Sequence, residues 1–298
     1  MTNSVAPCRA AKISQPVTRR AAIKIAGIQI FCSDDIDRNI RKAVRYIGHA
    51  AESGARIICF PQIFFLPWFL KEETPEAFNH AIPLDHEILN PFREAARDHK
   101  VVLICPFFER KGEKTFSSAA VFDANGTAVG VYQKAHIPSI PGWNEKYYFQ
   151  PGESGFLVMD TACGKIGIQL CWDNFFPEGS RALALGGAEI IFAPTAAAYA
   201  SQERWLHVIS ANAFVNNLFV FRVNRAGHDH GLDFYGGSFC VNPYGELLAD
   251  PIGIQEGISL VDIDLSIIAE ARTQSGFFKD RRMNLYGNLV LKEEQEIR

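Results

Sequence analysis

Lys165-Ile-Gly-Ile-Gln-Leu-Cys171-Trp172-Asp173-Asn174, followed by Phe-Phe-Pro-Glu178, is the stretch whose reading decides the fold. The apolar run Ile166 to Leu170 predicts a buried strand, and Pro177 with Glu178 predicts the first turn of a helix. Cys171 then stands where a strand ends and before the next helix begins. In sheets flanked by helices, a strand end holds a reactive group rigid while the loop leaves it reachable. Amides of a nearby helix would add positive potential there, favouring thiolate over thiol. A cysteine in apolar sequence is more often a small buried hydrophobe. The neighbourhood singles this one out, not its residue type.

Outward from that stretch, apolar periodicity predicts strands alternating with helices. Toward the N-terminus, Ile23 to Phe31 reads as the first strand, and Ile36, Ile40, Val44 and Ile47 recur at helical spacing behind an Asp34-Asp35 cap. A second strand, Arg56 to Pro61, closes on Pro61-Gln62. The aromatic segment Phe64 to Phe69 reads as pocket wall or interface. A helix over 90–99 leads to a strand over 101–107, and the turn Ala124-Asn125-Gly126 joins Ser117–Asp123 to Thr127–Gln133 as a hairpin. A long irregular loop, 139–155, follows Lys134. Phe156–Asp160 pairs with Lys165–Leu170 in a second hairpin that delivers Cys171. Toward the C-terminus, helices over 177–186 and 202–216 alternate with strands over 189–194, 218–224, 238–242 and 257–264. The expected architecture is α/β: a four-layer α-β-β-α sandwich of two mixed β-sheets covered by helices.

The 298 residues carry no Ser/Gly- or Pro-rich break, which predicts a single domain over 23–298 behind a flexible leader, 1–22. The leader has four basic residues and no acid, but neither the amphipathic pattern of a transit peptide nor the apolar core of a secretion signal. A net charge of −3 argues against nucleic acid or an anionic membrane as partner. No apolar stretch reaches the roughly 18 residues of a membrane helix. Seven cysteines, odd in number and without a Cys-x-x-Cys pair, predict reduced thiols in a cytoplasmic protein rather than a disulfide scaffold or zinc site. His228-Asp-His230 lies in a polar loop with too few ligands for a metal site. Neither a metal nor a cofactor is expected.

A thiol nucleophile needs a group that takes its proton. Lys134 ends the strand of the first hairpin, and an ammonium beside Cys171 would lower the thiol pKa and steady an oxyanion. Cys171-Trp-Asp-Asn-Phe-Phe-Pro-Glu178, Tyr132-Gln-Lys134-Ala-His-Ile-Pro138 and Phe60-Pro61-Gln62 together resemble the three catalytic blocks of the nitrilase superfamily of carbon–nitrogen hydrolases. The resemblance runs from about Ile23 to Tyr286. It is nearest the carbamoyl-amide hydrolases of the N-carbamoylputrescine amidase and β-ureidopropionase type. It implies Cys171 as nucleophile, Lys134 on the oxyanion, Glu145 as a second, orienting acid, and the Trp172 amide sharing the oxyanion hole. Asp173, Trp143, Phe65 and Ala196 are expected against the substrate. Asp173, Glu203, Asp229 and Asp233 are candidates to meet a substrate ammonium.

The departure is at the base, where the family has Phe-Pro-Glu and this chain has Phe60-Pro61-Gln62. An amide cannot accept the thiol proton. Gln62 is what a change made to trap substrate would leave, or it marks a weak or silent member; Glu145 and Glu109 are the nearest spare acids. The expected function is hydrolysis of a linear N-carbamoyl amine or amino acid to ammonia and carbon dioxide through a Cys171 acyl-enzyme. The alternatives are a silent binding or regulatory member and a related amidase or nitrilase. The partner is a small molecule, and the assembly a homodimer or larger homo-oligomer, with the apolar helix after Cys171 supplying a buried face.

Overall fold

The computed structural model describes residues 22–198 and 201–290. Residues 1–21 of the expected leader, 199–200 of the loop after Ala196, and 291–298 lie outside the described residues. In chain order the elements are β1 (Ile23–Gln29), α1 (Ile36–Glu52), β2 (Ile57–Cys59), α2 (Asn90–His99), β3 (Val102–Lys111), β4 (Lys114–Phe122) and β5 (Ala128–Gln133). There follow α3 (Glu145–Tyr148), β6 (Met159–Thr161), β7 (Gly164–Ile168), α4 (Pro177–Leu185), β8 (Ile190–Thr195), α5 (Gln202–Asn216) and β9 (Phe219–Asn224). The chain then forms β10 (Ala226–Asp229), β11 (Leu232–Tyr235), β12 (Phe239–Val241), β13 (Gly257–Ile263) and α6 (Ile267–Ser275).

Among the described residues one sheet runs β13-β1-β2-β3-β4-β5 and the other β12-β9-β8-β7-β6. The central triplets β1-β2-β3 and β7-β8-β9 are parallel and the outer pairs antiparallel, so both sheets are mixed. Strand periodicity then sorts the core into layers. Ile25, Ile57, Ile104, Ile166, Phe192 and Phe221 point between the sheets. Their neighbours Ala26, Ile58 and Leu103 face α1 and α2, and Ile191 and Val220 face α4 and α5. This is the expected four-layer sandwich. Each fully buried Ile or Phe stabilises it by about 1.5–3 kcal/mol over exposure. At Gly27 the sheets approach closely: a Cβ there would lie 2.8 Å from Val223 and 2.9 Å from Phe221.

Three elements differ from the expected pattern. Strand β3 continues to Lys111 and turns back into β4 at Lys114, although Glu109 to Lys114 is almost wholly polar; Glu109 stays buried and only the exposed tip, 111–114, projects beyond the core. The polar segment 226–235 is a two-stranded ribbon, β10–β11, not a loop. The aromatic segment is mostly core and does not line the cleft described below. Phe64, Phe65 and Trp68 are completely or almost completely buried, with Phe65 packed on Phe64 and Phe92. None of the described helices is long and apolar enough to cross a membrane.

Candidate active site

The carboxyl ends of β2, β5, β7 and β8 deliver Gln62, Lys134, Cys171 and Ala196 to one region of the sandwich. Beyond β7, Gln169 still bonds to β8 (its N–H to the Phe192 carbonyl, 3.0 Å), and then the chain turns sharply. Cys171 takes φ +45°, a left-handed conformation costly for a residue with a side chain, and opens a 3-10 turn, Cys171–Phe175. The turn is locked from below. Asn174 donates to the Gln169 and Cys171 carbonyls at 3.1 and 2.9 Å, and Asn212 of α5 donates to the Asn174 carbonyl at 2.8 Å.

Lys134 is completely buried, and its Nζ meets Glu145 Oε2 at 2.5 Å. Glu145 is also completely buried, at the head of α3 within the segment expected to be irregular. Burial alone would lower the Lys134 pKa, but Glu145 and the neighbouring Cys171 push it up and win, so the amine stays charged. The Lys134 backbone is clamped by Ser117 (N–H to carbonyl, 2.9 Å) and by the Gly152 N–H on its own carbonyl (2.8 Å). Only glycine permits the second contact: a Cβ at 152 would fall 2.3 Å from the Gln133 oxygen. Gln62 completes the cluster. Its Nε2 donates to Ser117 Oγ at 3.2 Å and to Glu145 Oε1 at 3.3 Å, while its Oε1 is buried with no partner among the described residues.

For Cys171 burial works against the expected thiolate. Burial raises the thiol pKa, Lys134 lowers it, Glu145 raises it again, and the net shift is upward. Desolvation of the sulfur outweighs one ammonium already neutralised by its own carboxylate. The thiol therefore requires a proton acceptor, and Gln62 is not one. Glu109 is no substitute: it is buried and accepts from Ser118 Oγ at 2.6 Å and Gln133 Nε2 at 2.9 Å.

Asp173, expected against substrate, is instead an internal clamp. It is completely buried; Oδ2 accepts from Tyr132 Oη at 2.7 Å and Leu170 N–H at 3.2 Å, and Oδ1 accepts from His136 N–H at 2.8 Å. One carboxylate thus ties the Lys134 segment to the Cys171 turn. A second clamp holds the Gln62 loop. Ile63, β-branched, sits at φ +52°, and its carbonyl accepts from Arg225 Nη1 at 2.7 Å. Arg225 Nη2 donates to the Leu66 carbonyl at 2.9 Å and pairs with Asp229, which also accepts from the Trp68 N–H at 3.1 Å. Sequence reasoning passed over Arg225. Its one signal was a cation inside the apolar run Phe219-Val-Phe-Arg-Val-Asn-Arg225.

Above Cys171 opens a cleft of about 430 Å³. Glu145, Cys171 and Trp172 lie in it, Trp143, Phe175 and Trp205 are its aromatic walls, and Ala196 to Ala198 give one side little bulk. Trp143 is held by its indole N–H on the Ala196 carbonyl, 3.2 Å. Asn224 fixes Ala197 by its N–H and carbonyl, at 2.9 and 3.1 Å. Of the expected substrate contacts, Trp143 and Ala196 line the cleft; Phe65 and Asp173 do not. Of the expected ammonium partners, Asp173 and Asp229 are buried in the clamps, Asp233 pairs with His228 on the ribbon, and Glu203 is exposed outside the lining.

Residues 22–273 match the carbon-nitrogen hydrolase family. The chain is 36% identical over 288 residues to an N-carbamoylputrescine amidase of Arabidopsis thaliana, covering 91% of this chain and 96% of that one. It is 37% identical over 284 residues to a citrullinase of Francisella tularensis, covering 91% and 99%. Among solved structures it resembles a Gln-for-Glu mutant of the amidase from Nesterenkonia sp. AN1, with a TM-score of 0.77, 26% identity and coverage of 93% and 100%. That structure shows covalent addition of the acetamide moiety of fluoroacetamide at the active site cysteine. With this sandwich, this buried Cys-Lys-Glu cluster and a match over most of its length, the chain belongs to the carbon–nitrogen hydrolase family, within the nitrilase superfamily and near its N-carbamoylputrescine amidases.

Proposed function

We propose that the chain is built to hydrolyse a linear N-carbamoyl compound, and that Gln62 leaves it impaired. The observation that carries this reading is the buried cluster Cys171, Lys134, Glu145 and Gln62 beneath a cleft of about 430 Å³. With a carboxylate at position 62, the base takes the Cys171 proton and the sulfur attacks the carbamoyl carbon. The oxyanion faces the Lys134 ammonium and the Trp172 amide, and the proton leaves with ammonia. Water then cleaves the Cys171 acyl group, and the released carbamate breaks down to amine and carbon dioxide. In sum, RNH–CO–NH2 and water give RNH2, carbon dioxide and ammonia.

With Gln62 the proton has no acceptor, so the chain is expected to bind and to turn over feebly. The unpartnered Gln62 Oε1 suits a substrate amide N–H, since an unpaired buried acceptor costs about 1–3 kcal/mol. A silent binding member of the family is the competing reading, and Gln62 favours it equally. Ammonia release from carbamoyl amines, simple amides and nitriles by the chain and by Gln62→Glu separates them. Restored turnover on carbamoyl compounds supports the first reading; binding without turnover in both forms supports the second.

We place the protein in the cytoplasm as a homodimer or larger assembly. Leu183 and Ala184 of α4 pack into the chain's own core, so the face expected to be buried by a second copy is narrower than the sequence suggested. The outer faces of α4 and α5 still expose Leu185 (49%), Phe214 (44%) and Val215 (37%), which suits a two-fold contact. Light scattering at micromolar concentration checks this, and a stable monomer would contradict it.

A further inference from the structure

Arg222 is a core charge with no partner of opposite sign. It lies on β9 in register with Ala193 of β8, on the strand face that Val220 turns toward α4 and α5. The residue is completely buried. Its Nη2 donates to Tyr235 Oη at 2.8 Å and its Nη1 to the Gly237 carbonyl at 3.3 Å, while Nε has no partner among the described residues. The guanidinium sits over the rings of Trp205, Tyr235 and Phe239, with centroids at 4.7, 5.3 and 5.8 Å. These contacts replace part of its hydration, but none supplies a negative charge. Among the described residues no carboxylate pairs with it, whereas the equally buried Lys134 has Glu145 and Arg225 has Asp229. An arginine keeps its proton even here, and a buried charge left without a counterpart is costly.

The group of this cluster that turns anionic during reaction is the Cys171 thiol. Cys171, Trp205 and Phe239 pack together, and Trp205, on which the guanidinium stacks, is also a wall of the cleft above the sulfur. Burial disfavours both charged forms; against it, Arg222 lowers the thiol pKa and Cys171 raises that of the guanidinium. Lys134 from the end of β5, Glu145 of α3 and Tyr235 of β11 are the other titratable groups that act on the sulfur. Asp173, in the same turn, is taken up by Tyr132 and His136. Resting on Cys171 as the nucleophile, we infer that Arg222 is a positioning residue whose unmatched guanidinium is the counter-charge of the Cys171 thiolate. The thiol proton leaves to solvent base through the cleft, and the buried cation holds the anion that remains. Lys134, already matched by Glu145, serves the oxyanion, and Arg222 serves the sulfur.

The test is the rate of Cys171 alkylation by iodoacetamide across pH, read by peptide mapping, in the parent and in Arg222→Gln. The variant should react about three- to tenfold more slowly below the thiol midpoint, and the deficit should close as pH rises past it. A merely structural role would slow alkylation by the same factor at every pH. Tyr235→Glu keeps Arg222 in place and sets a carboxylate against it. Relative to Tyr235→Gln it should show the same pH-dependent deficit, which decides the matter if Arg222→Gln does not fold. A parent-like rate or a pH-independent deficit in Arg222→Gln overturns the inference, as do equal rates in the two Tyr235 variants. Alkylation needs no substrate, so this outcome stands apart from whether Gln62→Glu hydrolyses a carbamoyl compound.

Discussion

Gln62→Glu should restore chemistry and cost stability in a pH-dependent way. Gln62 Nε2 lies 3.3 Å from Glu145 Oε1, so the change sets a carboxylate oxygen where an amide donor now stands. Two full negative charges at that separation repel by about 5 kcal/mol at an effective dielectric near 20. Lys134, 2.5 Å from the other Glu145 oxygen, offsets much of this, leaving a net cost of about 1–3 kcal/mol. A single proton held by the pair removes the repulsion, so the introduced carboxyl should titrate above its usual value of about 4.3. With its pKa raised in the folded state, the native protein holds the proton that the unfolded chain has released, and stability falls as pH rises between the two values. Urea unfolding should therefore show Gln62→Glu close to the parent near pH ~4 and weaker by that margin near pH ~8. Over the same range ammonia release should rise as the base ionises, reaching about 10²–10⁴ times the parent rate. A variant equally stable at both pH values, with turnover within a fewfold of the parent, would refute the placement of position 62 beside Glu145 as the base.

Two further outcomes follow from the clamps and the thiol. Because burial raises the Cys171 pKa despite Lys134, its alkylation by iodoacetamide should accelerate steadily from neutral pH past the ordinary thiol value of 9.0; a rate flat with pH, read by peptide mapping, would mean a preformed thiolate. Arg225→Met removes the donors to Ile63 and Leu66 and leaves Asp229 without its cation, so it should lower unfolding stability by about 3–5 kcal/mol; an unchanged urea midpoint would show that the clamp contributes nothing.

Local pattern made much of this legible. Strand and helix periodicity laid out both sheets and α1, α2, α4 and α5, because each buries an apolar face whose repeat survives in the sequence. Lys134 and Cys171 were visible for the same reason: each is a polar or reactive residue placed just after an apolar strand. Glu145 was reached through resemblance, since a lone acid in a loop carries no periodic signal. Other features depend on closure of the fold and left no local mark. The upward shift of the Cys171 thiol arises from desolvation by segments distant in sequence. Asp173 follows the nucleophile as closely as a substrate contact would, yet its oxygens are taken by Tyr132, Leu170 and His136. Phe65 looked like a ligand wall because aromatic residues serve both roles; packing on Phe64 and Phe92 put it in the core.

The central claim, that Cys171 is the nucleophile of a carbon–nitrogen hydrolase, is tested most directly by ammonia release from a small panel of linear N-carbamoyl compounds. The measurement compares Gln62→Glu with the double variant Gln62→Glu, Cys171→Ala. The account predicts clear turnover in the first and none above background in the second. Comparable turnover in both would contradict it.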